Sequence, residues 1–329
     1  MAVHRIVLAA RSTVFSDVFL GKPNQLDPDT KNILKTSENG KLVIPISTTD
    51  PDTMKRVIIF MYTTRCELDE RNAEQQLTTE IPYSFVLGNR LSAAQPNNQQ
   101  GQWYTTPAYQ QTNNVNYEVE LLKHLSSDFG DLLNRSNLSD CLLKINDTYM
   151  AVHRCVLAAR SNTFSAIMSG NNSRLDPDIK KGLETFVKDD KLIISIGKTS
   201  LETMKQVIIF MYTAKCQLDE RNAYGLLDAA GRYDIKSLKE YTSQFLVNDI
   251  KIDNVLKYLG IAYKYDSKLL TQKCIDYFID NGREVMDRKE LWESFSKDHK
   301  GIVADLVYWT VNKDEYRQEI AQPQLHSQW

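Results

Sequence analysis

Cysteine is scarce in this 329-residue chain: there are five, at positions 66, 141, 155, 216 and 274, odd in number, widely spaced and without a C-x-x-C pair. That pattern removes the usual zinc and thiol-redox motifs and suits a reducing compartment, so the expected location is the nucleus, the cytoplasm or both. An excess of one charge is also missing. Forty Lys and Arg stand against 42 Asp and Glu, a net charge of -2, which leaves no basic surplus for general nucleic-acid binding. No run approaches the roughly 18 apolar residues of a membrane span, and no membrane role is expected. The opening MAVHRIVLAARS is too short and soon too polar for a secretory leader. Glycine-rich phosphate loops of the GxGxxG and GxxxxGK types do not occur. A hydrophobic content of 42% with 25% charged residues still provides material for a sizeable core, in one to three domains.

What the chain does have is a stretch written twice. TYMAVHRCVLAARSNTFSAIMS runs from Thr148 to Ser169, and AVHRIVLAARSTVFSDVF opens the chain from Ala2 to Phe19. Further landmarks recur in the same order: LDPD at 26–29 and 175–178, VIIFMYT at 57–63 and 207–213, and LDERNA at 68–73 and 218–223. About 42 of 72 paired positions are identical between 2–73 and 151–223, so the stretch is a repeated structural unit.

The surroundings of the two copies differ. Ahead of the second, Leu121, Leu122, Leu125, Phe129, Leu132 and Leu133 recur at three- and four-residue spacing and predict an amphipathic helix. Asp140 to Ile145 then reads as a strand, with Asn146-Asp147 turning it back into Thr148–Val152. The first copy starts too late for either element and reads as a truncated half-domain over 1–73. It is followed by an Asn-, Gln-, Pro- and Tyr-rich linker at 74–116, expected to be disordered apart from one apolar segment at 81–87.

Downstream of the second copy, 170–190 reads as a long polar loop and Lys191–Ile196 as a strand. Thr199 or Ser200 can cap the next helix, with Glu202 in its first turn and Met204, Val207, Ile208 and Met211 on its buried side. Helices are predicted over 222–230, 235–246, 252–263, 267–279, 289–295 and 302–311, the apolar positions including Val255, Leu256, Leu259 and Ala262, then Leu269, Leu270, Cys274 and Phe278. Residues 314–329 read as a flexible tail. The fold expected is therefore a mixed α/β (α+β) domain at 118–245, mostly helical around a small sheet, followed by an all-α helical-hairpin module at 247–311.

Single-residue chemistry is thin. His153, at the start of a helix and matched by His4, has no companion at metal-ligand spacing and reads as structural or capping. Ser161 lacks a GxSxG elbow and an oriented base. Cys155 reads as a small buried hydrophobe. Asp140, at the entrance of a strand, is placed to hold a backbone group or the basic pair His153-Arg154. No catalytic residue, metal or cofactor is expected. The leucine stripe carries more weight: six large apolar residues in 13 exceed what one face of a small domain needs, which points to a shared symmetric interface.

These residues resemble the BTB/POZ domain. The carriers are AVHRCVLAARSNTF, with LSDCLLKI before it, KLIISI and VIIFMYT after it, and LLDAAGRYDIKSLKEYTSQFL as a closing helical pair. Within that signature stand Asp140, His153, Arg154, Ser161 and Phe164. AYKYDSKLLTQKCIDYFIDN resembles the BACK or 3-box helices that follow the BTB of speckle-type POZ proteins, although a MATH domain is not present in the chain. The resemblance implies homodimerisation through the leading helix, with Leu122, Leu125, Phe129 and Leu132 as the seam. It also implies an adaptor that links a substrate protein, not identified by the sequence, to the N-terminal region of cullin-3 in a ubiquitin ligase. Met168, Leu183, Glu184 and Tyr258 are then the candidate cullin-binding surface. A dimeric scaffold in transcriptional or other complexes, without cullin binding, is the alternative.

Overall fold

The computed structural model describes residues 3–20, 51–64, 109–171, 175, 177–188 and 191–321. These fall into two compact units, one within Met1–Cys141 and Ala151–Cys155, the other within Leu142–Met150 and Val156–Trp329.

The first unit holds α1 (Arg5–Arg11), α2 (Thr13–Phe19), α3 (Pro51–Thr63) and the long leading helix α4 (Tyr109–Asp131), which runs into two 3-10 turns at Leu132–Asn134 and Ser136–Leu138. Serine separates α1 from α2 because its side chain supplies the missing partner for the second helix: Ser12 is extended (φ -144, ψ 123) and its hydroxyl accepts from the Phe15 N–H. Leu8, Phe15, Ile58 and Met61 form a small core with Phe19, Met54, Val57 and Tyr62 packed on it, so the described helices of the first copy share a core. Helix α4 begins eight residues inside the stretch expected to be linker; the apolar segment at 81–87 lies outside the described residues.

A four-stranded sheet follows, in the order β2-β1-β4-β3, with β1 Cys141–Ile145, β2 Thr148–Val152, β3 Leu183–Lys188 and β4 Lys191–Ile196. Asn146, in the turn between β1 and β2, takes the left-handed φ of 52° that asparagine tolerates. Strand β3 was not expected, since 170–190 reads as loop. It pairs antiparallel with β4 from Leu183↔Ile196 to Lys188↔Lys191, after a short helix α7 (Pro177–Lys180). Its residues from Glu184 to Lys188 are exposed, so neither face shows the alternation by which strands are read.

Helices α5 (Arg154–Arg160) and α6 (Asn162–Met168) repeat the α1–α2 geometry: Ser161 has φ -145 and ψ 121 and accepts from the Phe164 N–H at 3.1 Å. Here the polar break also grips a distant turn. Ser161 donates to the Tyr233 carbonyl at 2.5 Å, Asn162 to Asp234 at 2.6 Å and Thr163 to the Arg232 carbonyl at 3.3 Å. Ser161→Ala removes a helix cap and a buried bond together. We expect it to destabilise the domain by about 1–2 kcal/mol, with Ser161→Thr closer to the parent, as read by urea unfolding.

Helix α8 (Leu201–Thr213) is capped by Ser200, which accepts from the Thr203 N–H, while Thr199 bonds the Tyr233 hydroxyl instead. Then come α9 (Ala223–Arg232), α10 (Lys236–Val247), α11 (Val255–Lys264), α12 (Lys268–Asp287), α13 (Lys289–Asp298), α14 (Lys300–Val311) and α15 (Lys313–Ala321). Helix α12 outruns its expected end at 279 by passing through a non-helical Asn281. Leu269, assigned to its apolar stripe, is 38% exposed, whereas Leu270, Cys274 and Phe278 are buried. The expected tail contains α15, held by Tyr316, which is buried and donates to the Gln272 carbonyl.

One hydrophobic core runs from Ala223, Leu227 and Leu246 through Leu259, Cys274 and Phe278 to Leu306 and Tyr316. Burial in this unit carries a pH signature. Burial pushes the Tyr233 phenol from 10.0 up to about 12 and the Cys274 thiol from 9.0 up to about 12. Both groups stay protonated in the fold after their unfolded counterparts have ionised. Their contribution is thus complete below about pH 9 and is lost as pH rises through 12. The thermal midpoint should hold between pH 7 and 9 and fall steadily above that; a midpoint unchanged to pH 11.5 would contradict this burial.

Candidate interaction site

The stripe on α4 is graded. Val119 and Leu122 are 44% and 49% exposed, Leu125 and Phe129 are half-buried, and Leu132, in the following 3-10 turn, is 1% exposed. Helix α1 packs against α4, and the contact is polar at its margin. Arg11 pairs with Asp128, and the Arg11 guanidinium also lies over the Phe60 ring, 5.8 Å from its centroid. Arg135 donates to the Ala9 carbonyl at 3.0 Å and to Ser16 at 3.4 Å. The stripe is legible in the sequence but these three polar anchors are not, because Arg11, Asp128 and Arg135 follow no common spacing.

The signature residues serve the backbone. Asp140 accepts from the Arg154 N–H at 2.8 Å and so caps α5, whereas at the start of α1 His4 makes no side-chain cap. His153 is 1% exposed, whereas its counterpart His4 is exposed and meets the Tyr62 hydroxyl through its backbone N–H at 2.7 Å. Phe164 is fully buried and stacks on Tyr233 at 5.3 Å between ring centroids. Ser161 and Phe164 are thus brought together at one helix junction, and Asp140 with Arg154 at another.

The four candidate cullin-binding residues fare differently. Met168 ends α6 half-buried, Leu183 opens β3 half-buried, and Glu184 is exposed beside it. Tyr258 corrects the expectation. Its ring is 5% exposed within the helical core and its hydroxyl donates to Asp249 at 2.7 Å, so it cannot form a docking surface. The amphipathic pattern of α11 places Tyr258 next to Leu259 but does not say on which side of the boundary a tyrosine falls. Strand β3, an edge strand with Phe186 41% and Val187 72% exposed, is the apolar surface that the sequence did not disclose. Its signal was the β-prone run Thr-Phe-Val.

A charged knot sits where α9 meets α11. Asp228 accepts from the Tyr265 hydroxyl at 2.7 Å and pairs with Arg232 at 2.5 Å and Lys264 at 3.2 Å. Burial alone would raise the Asp228 carboxyl, but these partners hold it below its ordinary value while Tyr265 is pushed up by burial and by the carboxylate. A group locked in this way is structural. Among the described residues, no three His, Cys, Asp or Glu side chains are grouped to hold a metal ion, and no helix is long and apolar enough to cross a membrane.

Sequence comparison matches the BTB/POZ domain to residues 1–85 and 129–250, more than half of the chain. The chain belongs to the BTB/POZ family, with the matched region duplicated and a helical extension behind it. Protein maternal effect lethal 26 of Caenorhabditis elegans is 25% identical over 185 residues, 56% of this chain and 43% of that protein. A BTB/POZ domain-containing protein of Arabidopsis thaliana is 28% identical over 151 residues, 46% of this chain and 56% of its own. The chain thus spans about half the length of these relatives. Among solved structures, the BTB domain of human gigaxonin matches 45% of this chain and 99% of its own (18% identity, TM-score 0.29), and that of zebrafish PATZ1 44% and 98% (18%, 0.30). BTB/POZ domains are non-catalytic protein-interaction modules.

Proposed function

We propose that the chain is an adaptor of the kind found among speckle-type POZ proteins, working in the nucleus or cytoplasm and linking a substrate protein to the N-terminal region of cullin-3. The observation that carries the reading is the continuous core from α9 to α15. It makes the closing helices of the BTB and the helices behind it a single rigid platform, as an adaptor that must hold a ligase at a fixed distance requires. On this reading Met168, Leu183 and Glu184 contribute to the cullin surface, and Tyr258 supports it from beneath. Helix α4 is the seam through which two copies pair, with Leu122, Leu125, Phe129 and Leu132 as its apolar residues.

Calorimetric titration of the purified full chain with the N-terminal region of cullin-3 tests the reading, and a dissociation constant in the micromolar range or tighter is expected. Met168→Asp with Glu184→Lys, which reverses polarity and charge at the surface without touching the core, should weaken binding by about tenfold or more. Absence of heat at high protein concentration would leave a scaffold that works without cullin.

A further inference from the structure

The first copy has no role in that reading, yet its described helices share a core and it is seated on α4. Helix α1 packs on the leading helix; Arg11, its side chain 10% exposed, pairs with Asp128; and Arg135 reaches back to Ala9 and Ser16. The covered end of the stripe is the end nearest these anchors: exposure falls from 49% at Leu122 to 1% at Leu132. The surface seated on α4 is a near-duplicate of one that every second molecule would bring. RIVLAARSTVFS at 5–16 and RCVLAARSNTFS at 154–165 share the positions used here, Ala9 matching Ala158, Arg11 matching Arg160 and Ser16 matching Ser165. Their local geometry is shared too, since Arg160 lies over Phe210 at 5.9 Å as Arg11 lies over Phe60 at 5.8 Å.

We infer that the first copy is the resident partner of the leading helix, occupying in cis the face through which two chains would otherwise pair. The inference rests on the proposed role of α4 as a pairing seam. Covalent attachment makes the contact unimolecular, so the first copy outcompetes an equivalent surface on a separate chain without needing better contacts. The full chain is accordingly a monomer that imitates one half of a dimer, and release of α1 from α4 is what permits self-association.

Light scattering and hydrogen exchange on the full chain test this. Wild type should have the mass of one chain, 37.8 kDa. Arg11→Glu places two carboxylates against each other and should free α4. The mass should then shift toward twice that value at micromolar concentration, and amides of 119–131 should exchange about tenfold faster when the variant is diluted to monomer. Arg135→Ala, which removes two hydrogen bonds without adding repulsion, should move both readouts the same way by less. A wild-type dimer, or exchange in α4 indifferent to both substitutions, overturns the inference. Faster exchange with the mass held at one chain keeps the contact in cis but overturns competition with a second copy, and with it the seam; cullin-3 binding is read separately by the titration above.

Discussion

Replacing Gly231 with leucine should unfold the domain at physiological temperature, and even Gly231→Ala should be costly. Alanine for glycine inside a helix ordinarily gains up to about 1 kcal/mol. Here the sign reverses. A Cβ on Gly231 would stand 2.2 Å from Cγ of Tyr265 and 2.3 Å from Cδ1. The near end of a ring cannot swing away as the tip of a lysine can, and this ring is also tethered by its hydroxyl to Asp228. Moving it breaks that bond and opens the junction between α9 and α11. We expect a loss of about 2–3 kcal/mol for alanine and 4 kcal/mol or more for leucine. Gly301, in the first turn of α14, has nothing within 4 Å of its virtual Cβ. Gly301→Ala should therefore raise stability slightly. Denaturant unfolding of the pair gives opposite signs if the close approach is real and the same sign if it is not.

The second large effect is expected at Phe164. Its ring is fully buried against Tyr233, and its backbone N–H is the group that Ser161 caps. Phe164→Ala would leave a cavity between α6 and the Arg232–Asp234 turn at the point where three polar bonds converge. Truncation of a buried phenylalanine costs about 3–5 kcal/mol, which for a unit of this size lowers the melting temperature by roughly 10 °C. Phe164→Leu, which keeps most of the volume, should recover more than half of the loss. A melting temperature within a degree or two of wild type for the alanine variant would show that the junction is not packed as described.

Both sites show where the sequence was legible and where it was not. The duplicated VLAARS word announced its own break: Ser161 and Ser12 cap their helices with nearly identical backbone angles because the local sequence alone determines that turn. Helix α8 was equally clear, its four apolar positions all buried and Ser200 at its head. What Ser161, Asn162 and Thr163 bind, in contrast, lies about 70 residues away, and no local pattern points to it. Strand β3 escaped because an edge strand exposed on both faces has no hydrophobic period. Tyr258 was misplaced because an amphipathic helix fixes a face but not what covers it. The same reason hid what packs on α4: the leucine stripe says that one face is apolar, whereas the contact that the structure shows is made through Arg11, Asp128 and Arg135.

The most direct test of the whole account is the mass and stoichiometry of the full chain mixed with the N-terminal region of cullin-3, read by light scattering across the eluted peak. The account predicts one chain with one cullin fragment, the leading helix being occupied in cis. A two-to-two complex at the same concentration would contradict that occupancy, and two separate unshifted peaks would contradict the adaptor itself.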